Sequence, residues 1–319
     1  MSSCKIGIWY KDLSNLNSME DNNFEVVIIG GSYAGLSAAM ALGRAIRKVL
    51  IIDSGKPCNQ QTPHSHNFLT QDGNTPAAIA ELSREQVLAY PTVQLVHDEV
   101  TSLQGENLQF SIETITGKQL NAKKMIFATG IKDEMPSIEG FAACWGISVI
   151  HCPYCHGYEY REESTGLFMN GEMVFEKARL IRNWTKQLTI FTNGISTIGH
   201  AQEEQLAAMA INIVETPLKK VEHKDGYLHH LRFTDNSSVA LTALYAQVPF
   251  SQHCPIPANI GCTLTDTGHL QVDKFQKTNI PGIFAAGDNT TMFRGVSMAV
   301  GAGTVAGAFI NHELITEGY

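Results

Sequence analysis

The sequence predicts an α/β fold with two Rossmann-like nucleotide-binding domains, the second inserted in the first. Three observations predict it. A βαβ unit lies near the N-terminus, the same strand–turn–helix–strand order repeats after Pro136, and a late apolar segment, Ile283–Asp288, leads into a second small-residue helix. The length of 319 residues suits two domains of ordinary size.

The elements follow in order. Phe24–Gly30 (FEVVIIG) is an almost continuous β-branched apolar run, as in a strand buried on both faces of a parallel sheet. A glycine-rich turn, a small-residue helix to about Arg47 and an apolar strand, Val49–Asp53, complete the βαβ unit. Thr75–Pro76 starts a helix, with Thr as N-cap and Pro in the first turn, running to about Ala89. Residues 93–127 alternate as short strands and end in Lys124–Gly130 (KMIFATG). In the second unit, strands are expected near Gly166–Met169 and at Leu188–Phe191, with a helix near Met173–Trp184 between them. The connections at about 131–137 and 246–252 read as short paired hinges.

Hydrophobic residues at 44% and charged residues at 17% describe a chain that buries a large core. The net charge of −8 argues against a broad nucleic-acid surface, since phosphates need clustered Lys and Arg. The local basic spots Lys123–Lys124 and Lys219–Lys220 read as solvated surface. Gly295–Asn311 is uncharged, but it is too short and too rich in small residues for a membrane span. Met1–Asn23 lacks an apolar core after a positive region, so no secretory signal is expected and the location is expected to be cytoplasmic.

The turn Gly30-Gly31-Ser32-Tyr33-Ala34-Gly35 fits G-x-G-x-x-G except at Ser32. That pattern needs a tight turn, close approach of backbone to a pyrophosphate, and close helix–strand packing at Gly35. N–H groups opening the helix face the phosphates, and Asp53 ends the second strand where a carboxylate accepts ribose hydroxyls. An ordinary strand–helix turn is the plainer alternative, and it loses because strand, glycines, helix and acid fall in order.

Of the seven cysteines, Cys4, Cys58, Cys144, Cys254 and Cys262 have no special spacing and read as buried or idle thiols. Cys152-Pro-Tyr-Cys155 stands apart. It reads as a redox pair, as half a zinc site with His151 and His156, or literally as a C-x-x-C-H haem attachment. No second C-x-x-C exists and nothing directs export, so the redox reading is preferred and no metal site is expected.

Gly30–Gly35, Ala128-Thr129-Gly130, Cys152–Cys155 and Gly282–Asp288 occur in the order found in the low-molecular-weight thioredoxin reductases, FAD-dependent pyridine nucleotide-disulfide oxidoreductases that this chain resembles from Phe24 onward. The resemblance implies FAD as cofactor. It implies a discontinuous FAD domain over residues 20–132 and 250–319 around an NAD(P)-binding-like domain, 133–249, that carries the cysteines. It assigns Gly30, Ser32, Tyr33, Ala34, Gly35, Asp53, Ser54, Ala128, Thr129 and Gly130 to the cofactor. Gly287 and Asp288 would hold the ribityl–phosphate portion. Arg294, Gly295 and Val296 would lie at the pyrimidine end of the ring, where a helix N-terminus meets the negative charge of reduction. His66 and Asn67 would approach the isoalloxazine.

By the same resemblance Cys155 lies against the flavin and Cys152 meets the substrate. His156 stands where the family has an acid–base aspartate, and an unperturbed imidazole, with a pKa of about 6.5, both takes and gives a proton near neutrality. His151 and Glu159 are weaker candidates for that role. The implied partners are a disulfide or dithiol substrate, either a thioredoxin-like protein or a small molecule, and a second copy in a homodimer. Cys-Pro-Tyr-Cys-His-Gly-Tyr-Glu also resembles a subgroup that oxidises small dithiols, including the enzymes forming the bridge of gliotoxin-like metabolites, so either direction of electron flow fits.

The second nucleotide turn departs from the pattern. Met169-Asn170-Gly171-Glu172-Met173-Val174 keeps only the middle glycine of G-x-G-x-x-A, and Phe191–Ile195 lacks the arginines that hold a 2′-phosphate. Weak NAD(P)H use, another donor, or no pyridine nucleotide are all open. A non-catalytic, flavin-binding redox sensor is the alternative of a different class.

Overall fold

A computed structural model of the protein describes residues 22–318. The expectations for the chain before Asn22, including Cys4, lie outside the described residues. The chain first forms β1 (Asn23–Ile29), α1 (Tyr33–Arg44), β2 (Val49–Asp53), α2 (Pro76–Leu88) and β3 (Val93–His97). β4 (Val100–Glu106), β5 (Gln109–Thr114) and β6 (Gln119–Phe127) follow. After β7 (Ile131–Asp133) come α3 (Phe141–Cys144), β8 (Val149–Ile150), α4 (Pro153–His156) and β9 (Thr165–Phe168). Next are α5 (Val174–Ile181), β10 (Leu188–Phe191), α6 (His200–Ala208) and β11 (Asn212–Val214). A meander, β12 (Leu218–Lys224), β13 (Tyr227–Phe233) and β14 (Ser238–Ala240), precedes β15 (Ala243–Ala246). The chain ends in β16 (Phe250–Gln252), α7 (Ile256–Asn259), β17 (Ile283–Ala285) and α8 (Val296–Thr316).

The first sheet has the order β3-β2-β1-β6-β5-β4, with β17 added against β6. Its β3, β2, β1, β6 and β17 run parallel, and β5 and β4 turn back antiparallel. The second sheet, β11-β10-β9-β15-β8, is parallel throughout. The chain leaves the first sheet after β6 and returns to it at β17, so the second sheet is an excursion within the first. β7 and β16, one on each strand of that crossing, pair antiparallel as Phe250↔Asp133 to Gln252↔Ile131. Both sheets are α/β layers of the doubly wound kind.

One core lies between the first sheet and the α1–α8 pair, and another on the sheet's opposite face. α1 and α8 approach closely because their facing residues are small. A Cβ on Gly303 would overlap the carbonyl oxygen of Ala34, so α8 sits on α1 only with glycine there.

Three boundaries differ from the sequence reading. α1 stops at Arg44 rather than Arg47, because Ile46 takes φ 61° and closes the helix. The Ile46 N–H donates to the Gly43 carbonyl and the Arg47 N–H to the Leu42 carbonyl, a Schellman closure made without glycine. α5 spans Val174–Ile181 and is followed by a turn to Thr185, shorter than the expected Met173–Trp184. α8 runs on to Thr316, past the uncharged stretch that ends at Asn311, through residues that bury Leu314 and pair Glu313. A fourth correction concerns Lys124, which is fully buried on β6 rather than solvated, its ammonium held by Glu313 at 2.7 Å and Glu317 at 2.6 Å. Among the described residues, no helix is long and apolar enough to cross a membrane.

Candidate active site

The glycine turn connects β1 to α1 at the C-terminal edge of the first sheet. Gly30 takes φ 106°, and a Cβ on Gly35 would overlap the Gly30 carbonyl oxygen, so strand and helix meet there only through glycine. Ser32 caps α1 without a side-chain hydrogen bond, which leaves the first N–H groups of Tyr33, Ala34 and Gly35 without a side-chain cap. Asp53, at the end of β2, accepts the Gly31 N–H at 3.0 Å through Oδ1 and thereby fixes the turn. Ser54 follows, exposed.

Neighbouring strand ends complete this edge. Ala128 packs its carbonyl against Gly30, Gly130 takes φ 63°, and the buried Thr129 hydroxyl has no partner. After β17, Gly287 takes φ 98°, and Asn289, fully buried, donates to the Phe127 carbonyl at 2.8 Å while its own Oδ1 stays unpaired. Burial pushes the Asp288 carboxyl up, with Arg294 opposing. Arg294 forks onto Asp133 at 2.7 and 3.0 Å and lies 3.5 Å from Asp288. Gly295 begins α8 with no side-chain cap, and Val296 is its first residue. Two uncapped helix N-termini, a glycine cradle and unpaired buried polar atoms on one edge fit a large anionic group such as FAD.

The loop between β2 and α2 overhangs this edge. Asn67 takes φ 61° and its N–H donates to Asp72 at 2.7 Å. His66 lies between carboxylates, 3.6 Å from Asp72 and 3.5 Å from Glu159. Cys58 sits in the same loop. It is open to solvent yet closely surrounded, so desolvation pushes its thiol up, with Asp288 adding and Arg294 opposing. The sequence reading treated Cys58 as idle, and no spacing signal links it to Asp288.

Cys152 and Cys155 form a disulfide with Cα atoms 5.3 Å apart. Cys152 is the N-cap of α4 and Pro153 its first residue, so the pair lies just after β8. Tyr154, exposed between the two cysteines, sets its ring edge on Trp184 at 5.4 Å. Among the described residues no cluster of three metal-ligating side chains occurs. His156 ends α4 and is pushed down to about 4 by burial and by the charge of His66. His151 falls to about 3 through burial and Arg294, against the pull of Asp133. At neutral pH both imidazoles are therefore uncharged. Burial disfavours the protonated imidazole, so His156 is a weaker base in the fold than a free histidine.

A stability consequence follows from the sign of that shift. The unfolded chain binds a proton at His156 below about pH 6.5, and the folded chain only near pH 4, so stability falls as the pH drops through this window. His156→Asn is expected to have a shallower decline of Tm between pH 7 and 4.5 in calorimetry. A profile parallel to that of the unaltered chain would mean that the imidazole is charged in the fold.

The second turn is closed on itself. Asn170 Oδ1 accepts the Gly171 N–H at 2.9 Å, the Thr197 N–H at 2.9 Å and the Thr197 hydroxyl at 3.1 Å, and its amide donates to the Ile195 carbonyl at 2.9 Å. A cleft of about 720 Å³ opens beside it at the ends of β9 and β10, and among the described residues no lysine or arginine lines it.

The profile of the family described as pyridine nucleotide-disulphide oxidoreductase matches residues 24–303. The thioredoxin reductase tcpT of Claviceps purpurea is 31% identical over 309 residues, covering 93% of this chain and 96% of that relative. The thioredoxin reductase sirT of Leptosphaeria maculans is 29% identical over 313 residues, covering 92% and 94%. Among solved structures, an oxidoreductase from Agrobacterium tumefaciens superposes with a TM-score of 0.86 at 36% identity, covering 93% of this chain and all of that one. HlmI superposes at 0.88 with 29% identity, covering 94% and 95%.

Proposed function

The chain belongs to the pyridine nucleotide-disulphide oxidoreductase family, and from that premise we propose that it is an FAD-dependent thiol–disulfide oxidoreductase. Electrons pass between the flavin and the Cys152–Cys155 pair, and on to or from a disulfide or dithiol substrate. The observation that carries this reading is the bonded pair at the start of α4, linked through Glu159 and His66 to the loop that overhangs the glycine cradle.

FAD, when bound, would supply a two-electron carrier to the pair. The N–H groups after Ser32 would hold its pyrophosphate, Asp53 its ribose, and Asp288 with the N-terminus of α8 the flavin half. By the family resemblance Cys155 would be the sulfur that exchanges electrons with the flavin and Cys152 the one that meets substrate. His156, directly after Cys155, is the imidazole placed to exchange a proton with the pair, and its burial, which disfavours the charged form, sets the cost of taking one up. The names of the relatives support a thioredoxin-like protein as substrate, and the resemblance of Cys152–Glu159 to the dithiol-oxidising subgroup supports a small dithiol. A second copy of the chain is the expected partner, to be checked by sedimentation.

The Asn170 carboxamide favours a second reading, dithiol oxidation with oxygen as acceptor and no pyridine nucleotide. In this fold the N–H groups of the turn are what a dinucleotide pyrophosphate binds, and here the Asn170 carboxamide already takes that of Gly171 and ties the turn to Thr197. Anaerobic addition of NADPH, NADH or a small dithiol separates the readings. Bleaching by dithiol alone would support the second reading, and bleaching by NADPH or NADH the reductase direction. Rapid bleaching by NADPH would overturn the second reading, and a flavin that no donor bleaches would overturn both.

A further inference from the structure

A chain of contacts joins the cofactor cradle to the cysteine pair without passing through the cysteines' own hydrogen bonds. Asp133 ends β7, in the crossing between the two sheets, and its carboxylate is nearly inaccessible, with a side-chain exposure of 8%. One side of that carboxylate takes the Arg294 fork. Its Oδ2 also accepts the indole N–H of Trp145 at 3.0 Å. Trp145 in turn stacks on His151, with ring centroids 5.8 Å apart and planes 24° apart, and His151 directly precedes Cys152. The Trp145 carbonyl accepts the side-chain amide of Gln61 from the overhanging loop. At the far end, Arg294 faces Asp288.

Each link has a reason to hold. A bidentate guanidinium–carboxylate pair with little solvent access fixes orientation as well as distance. An indole N–H that is mostly buried needs an acceptor, so Trp145 cannot turn away from Asp133 without leaving a donor unpaired. A stacked imidazole follows the indole it rests on.

We propose that Asp133 is a positioning residue: through Trp145 and His151 it holds the Cys152–Cys155 segment docked over the cradle that Arg294 and Asp288 border. The proposal rests on the functional reading above. It concerns the step inside the protein. When the reduced pair closes to a disulfide, two electrons and one proton would pass to the flavin and the second proton to solvent. The reaction of the pair with an external dithiol does not use Asp133.

The test is anaerobic stopped-flow mixing of the holoenzyme with excess small dithiol, comparing the unaltered chain with Asp133→Ala, Asp133→Asn, Trp145→Ala and the Asp133→Ala/Trp145→Ala double variant. Flavin bleaching at saturating dithiol is expected to slow by about tenfold or more in Asp133→Ala, with the dithiol concentration dependence unchanged. Asn keeps an acceptor for the indole and loses the Arg294 fork, so it should recover part of the rate. The double variant should be no slower than either single one, as for members of one chain of contacts. A second readout does not depend on flavin turnover. Alkylation of the reduced Cys152, followed by peptide mass analysis, should be faster in Asp133→Ala because the segment is no longer held. An undiminished bleaching rate in both Asp133 variants, or multiplicative effects in the double variant, would overturn the proposal. If Asp133→Ala fails to fold, Asp133→Asn and Trp145→Ala decide alone. If the unaltered chain itself shows no bleaching by dithiol, it is the functional reading that fails.

Discussion

Cys155→Ser is expected to abolish electron exchange with the substrate, lowering turnover by on the order of 10³-fold or more while leaving the flavin bound. The reason lies in the chemistry of the pair. Cys152 and Cys155 store two electrons only by making and breaking the bond between them. A serine hydroxyl cannot form that bond, so Cys152 retains a thiol with no sulfur to close on. The cradle residues Gly30, Gly35, Asp53 and Asp288 stand on other elements, and the substitution touches none of them. Flavin content per chain, read from the visible absorbance of purified protein, should therefore match that of the unaltered chain. Turnover is then measured with a dithiol or disulfide substrate. Residual turnover above a tenth would remove the pair from the mechanism.

Lys124→Met is the largest stability effect expected. Lys124 is buried on β6 and its ammonium is shared by Glu313 and Glu317 of the C-terminal segment, while Lys277 also pairs with Glu313. Removing one member of a buried ionic cluster leaves charge without compensation, at a cost of about 3–5 kcal/mol. The lower end, about 3 kcal/mol, is expected because Lys277 still covers Glu313, and Tm should drop by roughly 6 °C or more. The pH dependence has a definite sign. Burial alone would raise the Glu313 pKa, but the hydrogen bonds from Lys124 and Lys277 outweigh it and hold the carboxyl below the usual range. The contribution is thus present above the ordinary carboxylate pKa and lost as pH falls through the lowered one. The gap between the two proteins in thermal unfolding should narrow in acid. An equal Tm at neutral pH would mean that the cluster contributes nothing.

The parts of this fold that a sequence displays are those set by local repetition. β1 and β2 are apolar runs buried on both faces, and the glycine turn between β1 and α1 is dictated by carbonyl contacts that only glycine tolerates. The Cys152–Cys155 spacing likewise implies its own bond. What the sequence hides depends on groups far apart in the chain. Lys124 reads as a surface lysine until Glu313 and Glu317 are placed beside it. Asp133 lies in a short strand with no pattern of its own, 161 positions from Arg294 and 12 from Trp145. The early stop of α1 carries no sequence signal because Ile46, not glycine, takes the left-handed conformation. The low pKa of His156 arises from burial and from His66, and no spacing rule connects those two residues.

A reductive titration of the oxidised holoenzyme, under argon and followed at the flavin band, tests the central claim most directly. If flavin and disulfide form one electron-sharing unit, full reduction takes about four electrons per chain, two for each centre, and Cys152→Ser takes about two. A flavin in the unaltered protein that bleaches completely with two electrons while Cys152 and Cys155 stay bonded would contradict it.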